Sequence, residues 1–189
     1  MNHTLSRIRR NHGLEHATIH VMSEKFKNFS AQGNSDHKGF NLNIYGNIKE
    51  DEVFECVEEA FERMKNGEHH LAVHPNCGTV LLTTATMATL AAQLAFTFEQ
   101  KRRKSKLTPT LFLNVLPTAV LMVVVSLIIS KPIGVHLQAR YTVEGNLRDM
   151  QLLRMRKVSP NPITQIFQYL LTGGQNNIKA TAYRIETIG

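Results

Sequence analysis

The chain has 189 residues and a formal net charge of +7, from 22 basic and 15 acidic residues. A basic excess raises the question of nucleic acid, but much of it is concentrated in one short link. Five basic residues form this link: Lys101, Arg102, Arg103, Lys104 and Lys106. A basic cluster between apolar segments is a membrane-topology signal, so no nucleic-acid partner is predicted. Two cysteines are too few for a disulfide framework.

The first predicted element is a helix from about Thr4 to Lys25. Apolar, histidine and glutamate side chains recur on one face at a 3.6-residue period: Leu5, Ile8, His12, Glu15, His16 and Ile19. The opposite face is apolar as well and carries Leu14, Ala17 and Val21. Because charged residues are few on both faces after Arg10, the sequence predicts a helix that is covered on both sides.

A turn-rich stretch, SAQGNSDHKG, follows, and GFNLNIYG alternates apolar and polar residues as a half-buried strand does. Asn47 and Glu50 resemble a capping pair at the start of an amphipathic helix that Gly67 ends. The apolar face of this helix contains Val53, Val57, Ala60, Phe61 and Met64. Beyond residue 130, VHLQARYTV, MQLLRMRKV and IKATAYRIETI are predicted strands. PITQIFQYLL is a predicted short helix closed by Gly173 and Gly174.

Two stretches without charged residues, 79–98 and 107–130, are long enough to cross a bilayer as helices. They divide the chain into a histidine-rich α/β polar region (1–78), a first transmembrane helix (79–98), a basic link (99–106), a second transmembrane helix (107–130) and a C-terminal β-rich region (131–189). The predicted fold is an α+β polar domain, with its N- and C-terminal parts packed together and a two-helix transmembrane hairpin inserted. The alternative is a soluble α protein with two buried helices.

An inserted hairpin makes membrane lipid a partner and puts both termini on the same side of an integral membrane protein. The positive-inside rule favours a cytoplasmic link. That orientation requires about 78 N-terminal polar residues to cross the membrane without a signal peptide, which favours the reverse orientation. The side of the membrane on which the termini lie therefore stays open.

His12-Gly13-Leu14-Glu15-His16 fits the H-x-x-E-H pattern of inverted zincins. On a helix, residues i and i+4 lie one turn apart on one face, so both imidazoles can reach one Zn²⁺ ion. Glu15 could take a proton from a zinc-bound water. His20 extends the stripe by one turn. Eight of the nine histidines lie in the first 74 residues, which favours metal binding over a purely structural role for these side chains.

A third ligand has three candidates in the stretch GEHHLAVHPNCGT: Glu68, His74 and Cys77. His74 and Cys77 stand three residues apart, a common spacing for zinc ligands on a tight turn. The alternative interpretation makes Pro75, Asn76 and Gly78 the turn into the membrane helix, with Cys77 as an inert small residue.

The motifs RNHGLEHATIH and AVHPNCGT, the two apolar segments, and PIGVHLQARYTV after them resemble a family of bacterial membrane proteins known from cyanobacteria and other bacteria. The family has only a domain-of-unknown-function label. The resemblance runs from about Arg10 to Val143, and it implies membrane insertion without implying an activity.

HGLEH also resembles the motif of pitrilysin- and insulinase-type zinc peptidases. That resemblance implies that His12 and His16 bind zinc and that Glu15 is the catalytic base. The distal glutamate ligand of those enzymes would fall near the first apolar segment, which contains no acidic residue.

Two hypotheses on function follow. The first is a membrane-anchored zinc protein, with His12, His16, His74 and Cys77 as metal ligands and Glu15 as the base of a possible peptidase. The second is a non-catalytic accessory subunit of a larger membrane complex or homo-oligomer. Its histidine helix would be structural, and Ala88, Ala92 and Ala95 would contact other helices.

Overall fold

The computed structural model describes residues 3–103, 108–160, 165 and 180–189. Its elements in chain order are α1 (His3–Lys25), β1 (Ser30–Asp36), β2 (Gly39–Tyr45), α2 (Glu50–Lys65), a 3₁₀ turn (His69–Ala72), α3 (Gly78–Arg103), α4 (Pro109–Leu137), a π-helical turn (Gln138–Thr142), β3 (Gln151–Val158) and β4 (Ala180–Ile188). The chain divides into two compact units, residues 1–74 with 141–189, and residues 75–140.

The first unit contains a four-stranded antiparallel sheet in the order β1–β2–β4–β3. β2 pairs with β4 from Gly39 opposite Glu186 to Tyr45 opposite Ala180. Strands from the two ends of the chain therefore belong to one sheet. This pairing confirms the predicted α+β class and the packing of the N- and C-terminal parts together.

One face of the sheet and both amphipathic helices of this unit form its core. Phe40, Leu42 and Ile44 alternate along β2, so their side chains lie on the same face, and all three are buried. Fully buried residues of α1 and α2 pack with them: Leu14, Ala17, Val21, Val53, Val57 and Ala60. Glu15 and His16, on the opposite face of α1, are buried as well, which confirms a helix covered on both sides.

β1 corrects the prediction of a turn over SAQGNSDHKG. Residues 30–36 pair along their whole length with β2, and only His37 and Lys38 remain between the strands. The amide of Lys38 donates to Asp36 Oδ1, and Gly39 has a φ of 144° that favours glycine. β1 is an edge strand, where polar residues are common. The backbone ladder therefore overrides the turn propensity of its serines, asparagine and glycine.

A second correction concerns VHLQARYTV, which is not a strand. α4 continues to Leu137 and passes into the π-helical turn, and the amide of Gln138 donates to the carbonyls of Gly134 and Val135. The apolar and polar residues do alternate here. However, extending an existing helix adds one hydrogen bond per residue, whereas a strand needs a partner.

The start of α2 is also shifted from the prediction. Lys49, not Asn47, is the N-cap, and its backbone amide donates to the carboxylate of Glu52 across 2.9 Å. α2 ends at Lys65, two residues before Gly67. The predicted helix PITQIFQYLL lies outside the described residues apart from Gln165, and so do Gly173 and Gly174. Residues 104–107, which end the basic link and begin the second apolar segment, also lie outside them.

The second unit consists of α3 and α4, which pack against each other. Small and branched side chains form the contact: Ala95, Leu111, Val115 and Ala119. The hydroxyl of Ser130 donates to that of Thr84 across 3.0 Å. A Cβ atom on Gly134 would lie 2.9 Å from the Cα of Val80, so glycine allows a close approach of the two helices. Both helices are long and apolar enough to cross a membrane.

Candidate metal centre

Three histidines lie one helical turn apart along α1: His12, His16 and His20. Because an α-helix has 3.6 residues per turn, side chains four residues apart are neighbours on one face. The ring centroids of His12 and His16 are 4.4 Å apart. The helical spacing thus brings this imidazole pair together, as the sequence predicts.

The two rings are oriented by backbone carbonyls from distant parts of the chain. Nδ1 of His16 lies 2.7 Å from the carbonyl oxygen of Ala72, and Nδ1 of His12 lies 3.0 Å from that of Thr142. A carbonyl oxygen can only accept, so Nδ1 carries the proton in both rings. In a neutral imidazole, Nε2 then carries the lone pair. Both side chains belong to a group that could hold a metal ion.

His74 joins the same cluster from the segment that follows the 3₁₀ turn. Its ring centroid is 5.8 Å from that of His16 and 4.9 Å from that of His20. The segment is held beside α1 by two consecutive carbonyls, since Ala72 accepts from His16 and Val73 accepts from Nε2 of His20 across 2.9 Å. Four imidazoles therefore lie together in the first unit.

Gly13 explains how the neighbouring chain segments approach α1 so closely. A Cβ atom at this position would lie 2.6 Å from the carbonyl oxygen of Glu144 and 3.1 Å from the Cβ of Ala72. A real Cβ does not tolerate the first distance. The glycine between His12 and His16 is thus part of the cluster's construction, although it carries no ligand.

Residues 10 and 11 fix α1 to the rest of the unit. Arg10 is buried, and its Nη1 donates to the carbonyl of Leu147 and to Asp149 across 3.1 and 2.8 Å. Asn11 donates to the carbonyl of Asp36 and accepts from the hydroxyl of Thr187. The motif Arg-Asn-His therefore contacts three separate segments, which holds the histidine face in a fixed orientation.

Glu15 is 4% exposed, and its carboxylate lies against strand β1. The hydroxyl of Ser35 donates to its Oε2 across 2.6 Å, and its carboxyl group packs directly on Gly33, where a Cβ would overlap it. Successive helical residues are about 100° apart. Accordingly, Glu15 contacts β1 while His16 contacts Ala72. The role of Glu15 as a base stays a prediction.

The other acidic candidate, Glu68, is held by an arginine. Nη2 of Arg63 lies 2.8 Å from Glu68 Oε2, and Nε also donates to the carboxylate. This hydrogen bonding lowers the pKa of Glu68. To bind a metal, Glu68 would have to exchange this ion pair for the metal.

The two cysteines differ in position. Cys56 lies in the core of the first unit, where burial raises the pKa of its thiol to about 11, so it stays protonated at neutral pH. Cys77 belongs to the second unit and is 7% exposed. Its backbone carbonyl accepts from the amides of Val80 and Leu81 at the start of α3.

Two parts of the cluster were missed at the level of sequence. The stripe of histidines indicated His20, but not its bond to Val73. The carbonyls of Ala72 and Thr142 have no side-chain signature, because any residue supplies a carbonyl. The carbonyl groups that accept hydrogen bonds from the histidine rings can therefore be identified only from the fold.

Comparison with known proteins gives an uncharacterized relative and a family match. The chain is 35% identical over 100 residues to an uncharacterized protein of Picosynechococcus sp. (strain ATCC 27264 / PCC 7002 / PR-6), covering 46% of this chain and 48% of the relative. The chain thus matches about half the length of that curated relative. No solved structure matches this chain. Residues 7–155 match the family model described as a domain of unknown function, DUF6391, and the chain belongs to that family.

Proposed function

We propose that this chain is a membrane-anchored metal-binding protein that holds Zn²⁺ through His12 and His16, with His74 and Cys77 as further ligands. The observation that carries the proposal is the pair of Nδ1–H bonds to the carbonyls of Thr142 and Ala72. Metal-binding histidines typically donate their second ring N–H to a carbonyl or carboxylate, which fixes the tautomer and the ring orientation.

The choice of zinc rests on the chemistry of the ligand set. Imidazole nitrogens and a thiolate suit zinc and related transition metals, whereas Mg²⁺ and Ca²⁺ take oxygen ligands. Cys77 follows His74 by three residues, and an extended chain spans at most about 3.3–3.6 Å per residue. We propose on this basis that Cys77 joins His12 and His16 as a ligand.

The membrane anchor is proposed to be α3 and α4. At about 1.5 Å per residue, their 26 and 29 residues extend about 39 and 44 Å, more than the roughly 30 Å of a hydrocarbon core. Large apolar side chains are exposed along both, such as Leu82, Phe98 and Ile128 at 70–72%. Only 17% of the most apolar window of each helix is buried, which supports lipid contact over the buried helices of a soluble protein.

Hydrolysis is a second candidate, favoured by one observation. Glu15 is a buried carboxylate adjacent in sequence to His16, and Ser35 binds one of its oxygens. Zinc would supply a water with a pKa lowered to about 7. Glu15 would accept the proton of that water, and the hydroxyl of Ser35 would hold the carboxylate in position.

Metal analysis of the purified full-length chain tests the primary proposal. We expect about one zinc ion per chain, and its loss in the double variant His12→Asn, His16→Asn. Asparagine places an N–H donor near the position of Nδ1, so each variant keeps the bond to its carbonyl and removes only Nε2. His37→Asn, in the turn between β1 and β2, is the matched control.

Stoichiometric zinc in the double variant would contradict the proposed site. Absence of metal from the wild type, with a folded chain, would favour the accessory-subunit hypothesis. The histidines would then serve to bind the carbonyls of Ala72, Val73 and Thr142.

A further inference from the structure

The histidine cluster extends beyond His12 and His16, the two histidines on which the proposed inner site is built. His16 is 3% exposed, whereas His20 and His74 are only half-buried. Their rings meet edge to face with centroids 4.9 Å apart. The imidazoles thus form a chain in the order His12, His16, His74 and His20, in which His16 is buried and the other three are half-buried.

The spacing of these rings matches what a shared metal ion requires. Two imidazoles bound to one tetrahedral zinc, with Zn–N distances of about 2.0–2.1 Å, have ring centroids about 5 Å apart. The three neighbouring pairs are separated by 4.4, 5.8 and 4.9 Å. The centroid distance of each successive pair is therefore close to that of two imidazoles bound to one metal ion.

The protonation of His20 also suits an outer position. Its Nε2–H donates to the carbonyl of Val73, so a neutral ring has its lone pair on Nδ1. His16 uses the opposite nitrogen for its bond to Ala72. Both rings are fixed by adjacent carbonyls of the segment that carries His74, so His74 is held next to each of them.

We propose that His20 and His74 form an outer two-imidazole position that takes up a divalent transition-metal ion from solution and passes it to the inner site. This inference rests on the proposed metal function. His16 is buried, so a metal ion needs a route to it, and two neutral ligands hold an ion loosely enough to release it. His74 stays bound during transfer, while His20 is exchanged for His16 and then His12. No proton or electron is transferred among the imidazoles.

The test measures the rate of metal uptake by the metal-stripped, full-length chain in detergent. Co²⁺ is the probe, because its visible absorption reports the ligands around it. His20→Gln keeps an N–H donor within reach of the Val73 carbonyl but has no ring lone pair. We expect uptake to slow by about tenfold or more, the lower end of effects seen for groups around a metal site. The final amount of bound Co²⁺ should stay at the wild-type level.

A second variant separates ligation from structure. His20→Glu restores a metal-binding group at similar reach and should take up Co²⁺ at nearly the wild-type rate. His37→Gln serves as a control and should have no effect. An unchanged rate in His20→Gln, or equally slow uptake in the Gln and Glu variants, would overturn the outer position while leaving the inner site in place. A wild type that binds no Co²⁺ or zinc would overturn both proposals.

Discussion

The Nδ1–H of His16 donates to the backbone carbonyl of Ala72, 56 residues later in the chain, across 2.7 Å. An unsatisfied buried polar group costs about 1–3 kcal/mol, so the two substitutions His16→Ala and His16→Asn should differ. We expect both to lose metal, and the alanine variant to be less stable than the asparagine variant by about that amount. Thermal unfolding of the metal-free variants measures this. Equal stabilities would show that the bond contributes little to the fold.

Gly13 provides a test of the close packing at the cluster. Alanine favours an isolated helix over glycine by about 1 kcal/mol, but at this position its Cβ would meet the Glu144 carbonyl at 2.6 Å. We expect Gly13→Ala to destabilise the chain by about 1–3 kcal/mol, the usual cost of overpacking. Gly78→Ala is the matched control, because no atom lies within 4 Å of the added Cβ. Denaturant unfolding measures the change in the free energy of unfolding for both variants.

Periodicity predicted the helices and β2, because a 3.6-residue or two-residue repeat follows directly from which side is buried. It failed for β1, whose polar residues become a strand only by pairing with β2. It also failed at residues 135–143, where helix extension prevails over an alternating pattern. For the site, the four-residue spacing of His12 and His16 was sufficient to predict that their rings lie together. The approach of Ala72 and Thr142 depends on long-range packing that no local pattern encodes.

The buried Arg10 and the exposed Asp149 predict a pH dependence of stability. The hydrogen bond from Arg10 lowers the pKa of Asp149. A lowered folded-state pKa means that this contribution is fully present above the unfolded value of about 3.9. It is lost as the pH falls through the lower folded value. We expect Asp149→Asn to lower the melting temperature at pH 7, and the difference from wild type to shrink below about pH 4. A difference independent of pH would show that the charge of Asp149 is irrelevant.

The proposed membrane hairpin predicts the sidedness of three surface positions. Single cysteines replace Gln32, Ser159 and Lys101, all exposed, in a chain whose native cysteines are serines. In sealed vesicles, an impermeant maleimide should label the first two alike and the third oppositely. Labelling of all three from one side would exclude two crossings. If the positive-inside rule sets the orientation, reversal of the charges in the basic link should disturb it.

Glu15→Gln tests whether the carboxylate is a base. Glutamine keeps an oxygen that can accept from Ser35, and it fills nearly the same space beside Gly33. The variant should therefore fold and bind metal as the wild type does. If Glu15 accepts a proton during hydrolysis, turnover of an unstructured peptide library by the zinc-loaded chain should fall by about 10²–10⁴-fold, the usual scale of acid–base catalysis.

Two other roles of Glu15 predict different results for the same variant. A carboxylate that only orients a ligand histidine would, when replaced, weaken metal affinity by about 10–100-fold. If the carboxylate only joins α1 to β1, its replacement should lower the melting temperature and leave the metal affinity unchanged. Ser35→Ala should then lower the melting temperature too, because both variants alter the same hydrogen bond. Normal metal binding together with undiminished hydrolysis in Glu15→Gln would exclude the base. In that case the buried glutamate serves the fold, and the H-x-x-E-H pattern reflects two metal ligands separated by a structural residue.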